Sequence, residues 1–137
     1  MRLWHKDLLS VLPRQQLLGQ WRECCCIAKN IAEKGTPNHI LVNRIMDYPI
    51  DHFYRYCVSV KSEMQKRNYK CDWTKVRKYF PKESYKYVLK DDVFKSWHND
   101  RYYIQCYYNL QEKYDCNGIT DEEWDLIHNE LMDYGII

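Results

Sequence analysis

The side chains best suited to chemistry lie in one predicted helix, which begins at Pro13 and places a carboxylate beside a guanidinium. Glu23 can stabilise a developing positive charge or move a proton, and Arg22 can hold a phosphate through two hydrogen bonds. The predicted water-facing side of this helix also contains a glycine that permits close backbone approach. That side comprises Gln15, Gln16, Gly19, Gln20, Arg22 and Glu23. Such an amide-rich face suits contact with a polar polymer.

The opposite side of this helix is apolar, because Leu17, Trp21 and Cys24 recur at spacings of three and four residues. The same periodicity predicts three more helices, and no stretch alternates in the way that a strand requires. The predicted helices cover residues 13–34, 49–67, 93–115 and 120–134. The sequence therefore predicts an all-α fold.

The last predicted helix is acidic and begins with a capping box, in which Thr120 and Glu123 satisfy each other's backbone N–H groups. We expect Trp124, Ile127, Leu131 and Met132 to lie on its inner side. Asn117 and Gly118 form the turn before it.

The length of 137 residues predicts one compact domain. Its expected parts besides the helical core are an apolar N-terminal arm at 1–9, a basic and aromatic insert at 69–92, and the acidic helix at 120–134. No apolar run is long enough to span a bilayer and no signal peptide opens the chain, so we expect a cytoplasmic protein.

The charges are divided unevenly along the chain. All 21 lysines and arginines precede residue 117, together with 13 acids, which gives this part a formal charge of +8. The remaining 21 residues contain six acids and no basic residue except His128, which gives −6. A basic body of this kind is typical of proteins that bind a phosphate backbone, although basic residues on helices are often only solvated.

The cysteines and histidines do not predict a metal site. The seven cysteines include no C-x-x-C pair, and the five histidines include no pair four residues apart. We expect the thiols to be free and to pack as small apolar groups, and we expect no metal or cofactor.

Three collinear blocks resemble a known family. Residues 8–23 fit the pattern Leu-x-Ser-x-Leu-x-x-Gln-x-Leu-x-x-x-(Trp/Tyr)-Arg-Glu, which resembles the first helix of the phage pyrimidine-dimer DNA glycosylases, the phage endonuclease V family. Residues 39–41 and 63–69 resemble the loop before the family's second helix and the end of that helix. His98 and the block 109–113 resemble its third helix. The resemblance covers roughly residues 1–114.

This resemblance implies a three-helix core with the N-terminal arm threaded between the helices. It also implies that Glu23 is the catalytic carboxylate and that the chain's own N-terminal amine is the nucleophile. Because Arg2 is large, we expect Met1 to be retained, so that the Met1 α-amine attacks and Arg2 contacts DNA. A lysine in the insert is the alternative nucleophile.

An α-amine suits this chemistry because its ordinary pKa of about 7.7–8.0 leaves a useful fraction neutral near physiological pH. It attacks the anomeric carbon of the sugar, the base leaves, and a Schiff base remains. The carboxylate stabilises the cationic sugar and then assists the proton removal that cleaves the strand. Arg22 is the expected anchor for the phosphate or the extruded sugar.

Further DNA contacts are expected from His39 and Lys113, which fall in the resembling blocks, and from Gln15, Gln16 and Gly19 on the first helix. The sequence also departs from the family. Cys26 and Gln16 replace an arginine and a histidine, and the acidic last helix replaces a basic aromatic tail.

The insert offers a substitute for that tail. Lys75, Arg77 and Lys78 can neutralise phosphates while Trp73 stacks on an unpaired base. The alternative is that these aromatic side chains complete the core.

We therefore predict a monomeric DNA glycosylase with abasic-site lyase activity on damaged pyrimidines, pyrimidine dimers among them, in duplex DNA. Access to the base is expected by base extrusion. Two alternatives stay open: a non-catalytic helical module that binds nucleic acid, and a protein–protein adaptor that uses the acidic last helix.

Overall fold

Every regular element is helical in residues 1–82 and 88–135, the parts of the chain that the computed structural model describes. The all-α prediction is therefore confirmed. The α-helices are α1 (Arg14–Lys34), α2 (Ile50–Lys66), α3 (Thr74–Arg77), α4 (Asp100–Asp115) and α5 (Asp121–Tyr134). Short 3-10 helices cover Lys6–Val11, Asn43–Asp47 and Lys90–Asp92.

Helices α1 and α2 follow their predicted bounds closely. Gly35 ends α1 in the left-handed conformation, with φ of 74°, and its N–H bonds to the carbonyl of Ile31. Asn68 adopts φ of 60° just beyond α2. The apolar stripe of α2 is buried in full: Phe53, Tyr56, Cys57, Val60 and Met64.

The predicted start of the third long helix at Val93 is wrong, because α4 begins at Asp100. Asn99 stops the helix from extending backwards: it is extended, and its side chain accepts a hydrogen bond from Tyr102 N at 3.0 Å. Phe94 has φ of 50° and is fully buried, so packing holds it in a conformation that no helix contains. Residues 93–99 thus form an irregular segment that buries Val93, Phe94, Trp97 and His98.

The N-terminal arm lies inside the helical assembly. Leu3, Leu8 and Leu9 are buried, and the 3-10 helix Lys6–Val11 contacts α2 and α5. Arg67, just beyond α2, donates from Nη1 to the carbonyl of Leu12 at 2.7 Å. The arm therefore belongs to the core.

The acidic helix α5 packs on α4 and on the arm. Its capping box is present, and Ile127 and Leu131 are buried, as predicted. Met132 was expected inside but is 58% exposed, because the buried side follows the spacing of Ile127 and Leu131 and leaves the next position facing water. None of the described helices is both long and apolar enough to cross a membrane.

Only part of the predicted insert at 69–92 can be described, because residues 83–87 lie outside the described ranges. Within it, Trp73 is half-buried between Trp21 and Tyr54, with ring centroids 6.3 and 5.6 Å away. Lys61 Nζ lies 4.8 Å from the same ring. In this structure Trp73 thus packs as part of the core.

Candidate active site

One open cavity contains both the first residue of the chain and the carboxylate of Glu23. Its volume is about 280 Å³, and the arm, α1, the loop after α1 and α4 all contribute to its wall. The lining residues are Met1, Arg2, Trp4, Glu23, Leu41, Asn109 and Lys113. The fold thus brings together groups that are 112 positions apart in sequence.

Gln20 positions the arm beside α1. Its Oε1 accepts a hydrogen bond from Trp4 N at 2.7 Å, and its Nε2 donates to the carbonyl of Arg2 at 3.0 Å. The prediction that Gln20 faces water is wrong, since it is 1% exposed. It lies three residues after Leu17 and four before Cys24, so the helical spacing puts it on the buried stripe.

Two tyrosine hydroxyls bind the next carbonyls of the arm. Tyr56 of α2 donates to the carbonyl of Trp4 at 2.6 Å, and Tyr102 of α4 donates to that of Leu3 at 2.5 Å. Burial raises the pKa of both hydroxyls well above the ordinary value, so both remain donors. Three helices therefore fix the backbone of residues 2–4.

Glu23 lies directly beside the arm. Its Oε2 accepts long hydrogen bonds from Arg2 N at 3.4 Å and from Gln20 Nε2 at 3.3 Å. The same glutamine thus touches both the arm and the carboxylate, which couples the position of the chain's first residues to that of Glu23. Glu23 itself is only half-buried, so the carboxylate stays accessible from the cavity.

Two basic residues line the same cavity as this carboxylate. Arg2 and Lys113 line the cavity, and the Arg2 guanidinium lies 5.3 Å from the centre of the Trp4 ring. A second cavity of about 310 Å³ shares Arg2, Leu41 and Asn109 with the first and is otherwise lined by Tyr102 and Gln105. Two adjoining recesses therefore meet at Arg2, on a surface suited to an anionic polymer.

The remaining candidates on α1 do not line the cavity of Glu23. Arg22 and Gln15 are exposed. Gln16 is half-buried, and its Oε1 has no hydrogen-bond partner among the described residues. Gly19 leaves room beside Arg22, whose Nη2 would lie 3.8 Å from a β-carbon added there.

The basic residues of α3 lie elsewhere. Lys75 and Lys78 line a separate cavity with Cys25, Cys26, Lys29 and Tyr79. Arg77 is half-buried and donates from Nη1 to the carbonyl of Phe80 at 3.1 Å. Burial raises the pKa of Cys25 to about 11, which keeps this thiol protonated at neutral pH.

His39 occupies the loop after α1 and does not line the Glu23 cavity, although Leu41, two residues later, does. Among the described residues no three His, Cys, Asp or Glu side chains lie close enough to hold a metal ion.

Sequence reasoning missed four residues that shape the site: Gln20, Tyr56, Tyr102 and Leu41. Spacing alone could have placed Gln20 on the buried stripe. Tyr56 lies on the apolar stripe of α2, but the partner of its hydroxyl depends on tertiary packing. Asn109 was noted only as part of a block of resemblance, and its place beside Lys113 follows from their i, i+4 spacing on α4.

The family model for pyrimidine dimer DNA glycosylase matches residues 1–75. Because this match covers more than half of the chain, the protein belongs to that family. No curated protein and no solved structure matches the chain. The match spans the arm, α1 and α2, and therefore includes Met1, Arg2, Gln20 and Glu23.

Proposed function

We propose that this protein is a DNA glycosylase with abasic-site lyase activity, which removes damaged pyrimidines from duplex DNA through the α-amine of Met1. Membership of the pyrimidine dimer DNA glycosylase family supports the glycosylase class. The observation that carries the mechanism is the shared cavity of Met1 and Glu23, with Arg2 N 3.4 Å from the carboxylate.

In the proposed reaction the neutral Met1 amine attacks C1′ of the damaged nucleotide. The N-glycosidic bond breaks, its electron pair leaves with the base, and the base takes up a proton. The amine loses one proton and the ring oxygen gains one as the sugar opens, which leaves an iminium between protein and sugar. Loss of a C2′ proton then expels the 3′-phosphate by β-elimination, and water releases the protein.

Glu23 is proposed to act twice. Its carboxylate stabilises positive charge on the sugar while the base leaves, and it then assists removal of the C2′ proton. A carboxylate that is half-buried and held by Gln20 and Arg2 N keeps one orientation through both steps. This preorganisation is what an electrostatic role requires.

Arg2 and Lys113 are proposed to bind the phosphates next to the lesion, because they line the same cavity. Arg22 is exposed on the neighbouring side of α1 and can contact the strand beyond it. The remaining candidates Gln15, Gln16, Gly19 and His39 would then contact DNA further from the reacting sugar. Lys75, Arg77 and Lys78 lie outside this cavity. They would therefore contribute only to the general affinity for DNA.

Borohydride trapping on a duplex with one abasic site tests the proposal. Wild-type protein should form a covalent protein–DNA adduct, because borohydride reduces the iminium. Glu23→Gln should lower turnover on dimer-containing duplex by at least about a hundredfold, the usual scale for loss of a positioned acid–base group. Glu33→Gln, an exposed carboxylate on the same helix, is the matched control and should keep full turnover.

An extension placed before Met1 moves the amine out of the cavity and should abolish trapping, whereas the same extension after Ile137 should not. Salt-sensitive binding to duplex DNA without any adduct would contradict the proposal and favour a non-catalytic module. If the protein neither binds duplex DNA nor forms an adduct, the result would favour the protein–protein adaptor.

A further inference from the structure

A further cavity, away from the candidate active site, is lined mainly by basic residues and serines. Its volume is about 220 Å³, and it shares no lining residue with the Glu23 cavity or with the cavity that adjoins it. Four basic residues line it, against the single acidic residue Glu63, which gives a formal charge of +3. We refer to it as the basic cavity, after its basic residues Lys6, Arg55, Lys66 and Lys90.

Helix α2 supplies one wall of the basic cavity. Arg55, Ser59, Ser62 and Lys66 follow one another at spacings of three and four residues, which places them on one side of the helix. The Ser59 hydroxyl accepts a hydrogen bond from Arg55 Nη1 at 2.9 Å and donates to the carbonyl of Arg55 at 3.2 Å. The guanidinium is therefore held along the side of α2 that faces the cavity.

The opposite wall contains a buried lysine of the N-terminal arm. Lys6 is 6% exposed, and its Nζ donates to the carbonyl of Asp91 at 2.8 Å and to that of Val93 at 2.7 Å. Lys6 forms no ion pair with any carboxylate of the described residues. Because an ammonium group has three N–H donors, one donor remains for a ligand.

The charge of Lys6 is only partly compensated within the protein. Burial lowers the pKa of Lys6, and the carboxylates of Asp7, Asp91 and Asp92 offset this effect only in part. A buried charge is costly unless an opposite charge or hydrogen bonds stabilise it. An anion bound in the adjoining cavity would supply the charge that is missing.

The wall of the basic cavity suits a small anion that has several oxygens. Glu63 is bound by Arg67, whose Nε donates to Glu63 Oε1 at 3.1 Å, so its charge is already paired. Among the described residues of the wall, Leu9 is the only apolar one, which leaves no surface on which a base could stack. The volume is also below the range of about 300–1,000 Å³ that is usual for larger organic ligands.

We propose that the basic cavity binds a phosphate group, with Lys6 and Arg55 as cationic donors and the hydroxyls of Ser59 and Ser62 as neutral donors. A guanidinium and hydroxyls together match the oxygens of phosphate. The group can belong to a small phosphate compound or to the DNA backbone, since both present the same oxygens. The inference is independent of the proposed function, because it uses no residue of the Glu23 cavity.

Calorimetric titration with inorganic phosphate tests the site in the full-length protein, at constant ionic strength with chloride as the balancing anion. Wild-type protein should bind phosphate with saturation at one site, and phosphate should raise its unfolding temperature. Arg55→Gln should weaken binding by about tenfold or more, because it removes a charged donor. Arg101→Gln, which changes an exposed arginine of α4, is the matched control and should keep the wild-type affinity.

A pair of variants on α2 separates contact in the cavity from a change in net charge. Ser62→Asp and Gln65→Glu each add one negative charge at an exposed position of α2, but only Ser62 lines the cavity. Ser62→Asp should abolish phosphate binding, whereas Gln65→Glu should keep the affinity within about twofold at moderate salt. Circular dichroism checks that each variant remains folded.

Binding to lesion-free duplex DNA distinguishes the two sources of the phosphate. If the DNA backbone occupies the site, Ser62→Asp should weaken duplex binding and its salt dependence more than Gln65→Glu does. If a small phosphate compound occupies it, the two variants should bind duplex equally while their phosphate binding still differs. Either result supports a phosphate site and identifies its ligand.

Two results would overturn the site. One is the absence of saturable phosphate binding by wild-type protein. The other is equal phosphate binding by Arg55→Gln, Ser62→Asp and the two controls, because the anion would then be attracted by the overall charge alone. The proposed function fails in a different experiment, through the absence of any trapped adduct with wild-type protein.

Discussion

Buried side chains pack both the N-terminal arm and α5 against the helical core, and the arm is in addition bound through its backbone. The N-terminal arm is held by polar bonds from Gln20, Tyr56 and Tyr102 to successive backbone groups. Helix α5 is held by the buried side chains of Ile127 and Leu131 and by stacking of Tyr134 on Tyr103, with ring centroids 4.0 Å apart. Apolar contacts tolerate small shifts, whereas hydrogen bonds to the backbone fix position.

Under the proposed mechanism, this difference fits a separate role for each of the two segments. A chain whose first amine reacts must place that amine to within a fraction of an ångström, so its arm requires directional contacts. Helix α5 has no such requirement. Its Glu123 carboxylate accepts a hydrogen bond from Arg14 N at 2.9 Å, at the start of α1, some nine residues from Glu23. We therefore expect changes in the arm to affect activity and changes in α5 to affect stability.

Gln20→Leu should have the largest effect. It leaves the N–H of Trp4 without its acceptor and the carbonyl of Arg2 without its donor, and it releases Glu23. We expect about 1–3 kcal/mol loss in the free energy of unfolding. Activity should fall about a hundredfold, the scale that a displacement of about 1 Å produces.

Urea unfolding and single-turnover cleavage measure the two effects separately. Cys57→Ala, at a buried α2 site away from the cavity, should cost stability without a comparable loss of rate. Equal rate losses in the two variants, at matched stability, would remove the special role assigned to the arm.

The second largest effect should come from acid, which should lower the stability of the fold through the histidine of the arm. Burial lowers the pKa of His5 from 6.5 to about 4, and it also lowers that of His98, whose ring stacks on His5 at 5.2 Å. The unfolded state therefore binds more protons below pH 6.5, and stability falls as the pH decreases from 6.5 towards 4. His5 alone contributes about 1.4 kcal/mol per pH unit in this window.

Thermal unfolding between pH 7.5 and 4.5 measures this slope. His5→Asn should be less stable than wild type at pH 7.5 and show a flatter dependence on pH. His128→Gln, which changes an exposed histidine of α5, is the matched control. A steep slope that survives His5→Asn and His98→Asn together would disprove the assignment.

Glu123→Gln should have the smallest effect. Desolvation raises the pKa of Glu123, but hydrogen bonds from Thr120 N and Arg14 N outweigh it, so the pKa lies below its usual value. Neutralising this group weakens the start of both α1 and α5 by about 1 kcal/mol. Activity should stay unchanged, and a clear loss of cleavage rate would mean that α5 takes part in the site.

The sequence predicted the elements whose signals are local. Gly35 and Asn68 mark the ends of α1 and α2, and the Thr120–Glu123 box marks the start of α5. The late start of α4 was missed because the left-handed backbone of Phe94 is imposed by packing. In the sequence, the apolar side chain of Phe94 fits the pattern of one continuous helix over 93–115.

The candidate site was predicted only in part for the same reason. Glu23, Arg2 and Lys113 were expected from motifs, and they do line one cavity with Met1. The partners of Tyr56 and Tyr102 are 52 and 99 residues away in sequence. Contacts at such separation depend on how the helices pack, and no local pattern contains that information.

The location of the trapped adduct tests the central claim most directly, since two residues that bear an amine, Met1 and Lys113, line the cavity of Glu23. After borohydride trapping on abasic DNA, proteolysis and mass spectrometry identify the peptide that contains the sugar remnant. The account predicts the remnant on the N-terminal peptide, attached at the Met1 amine, with undiminished trapping in Lys113→Arg. A remnant on Lys113 or on any other lysine would contradict it.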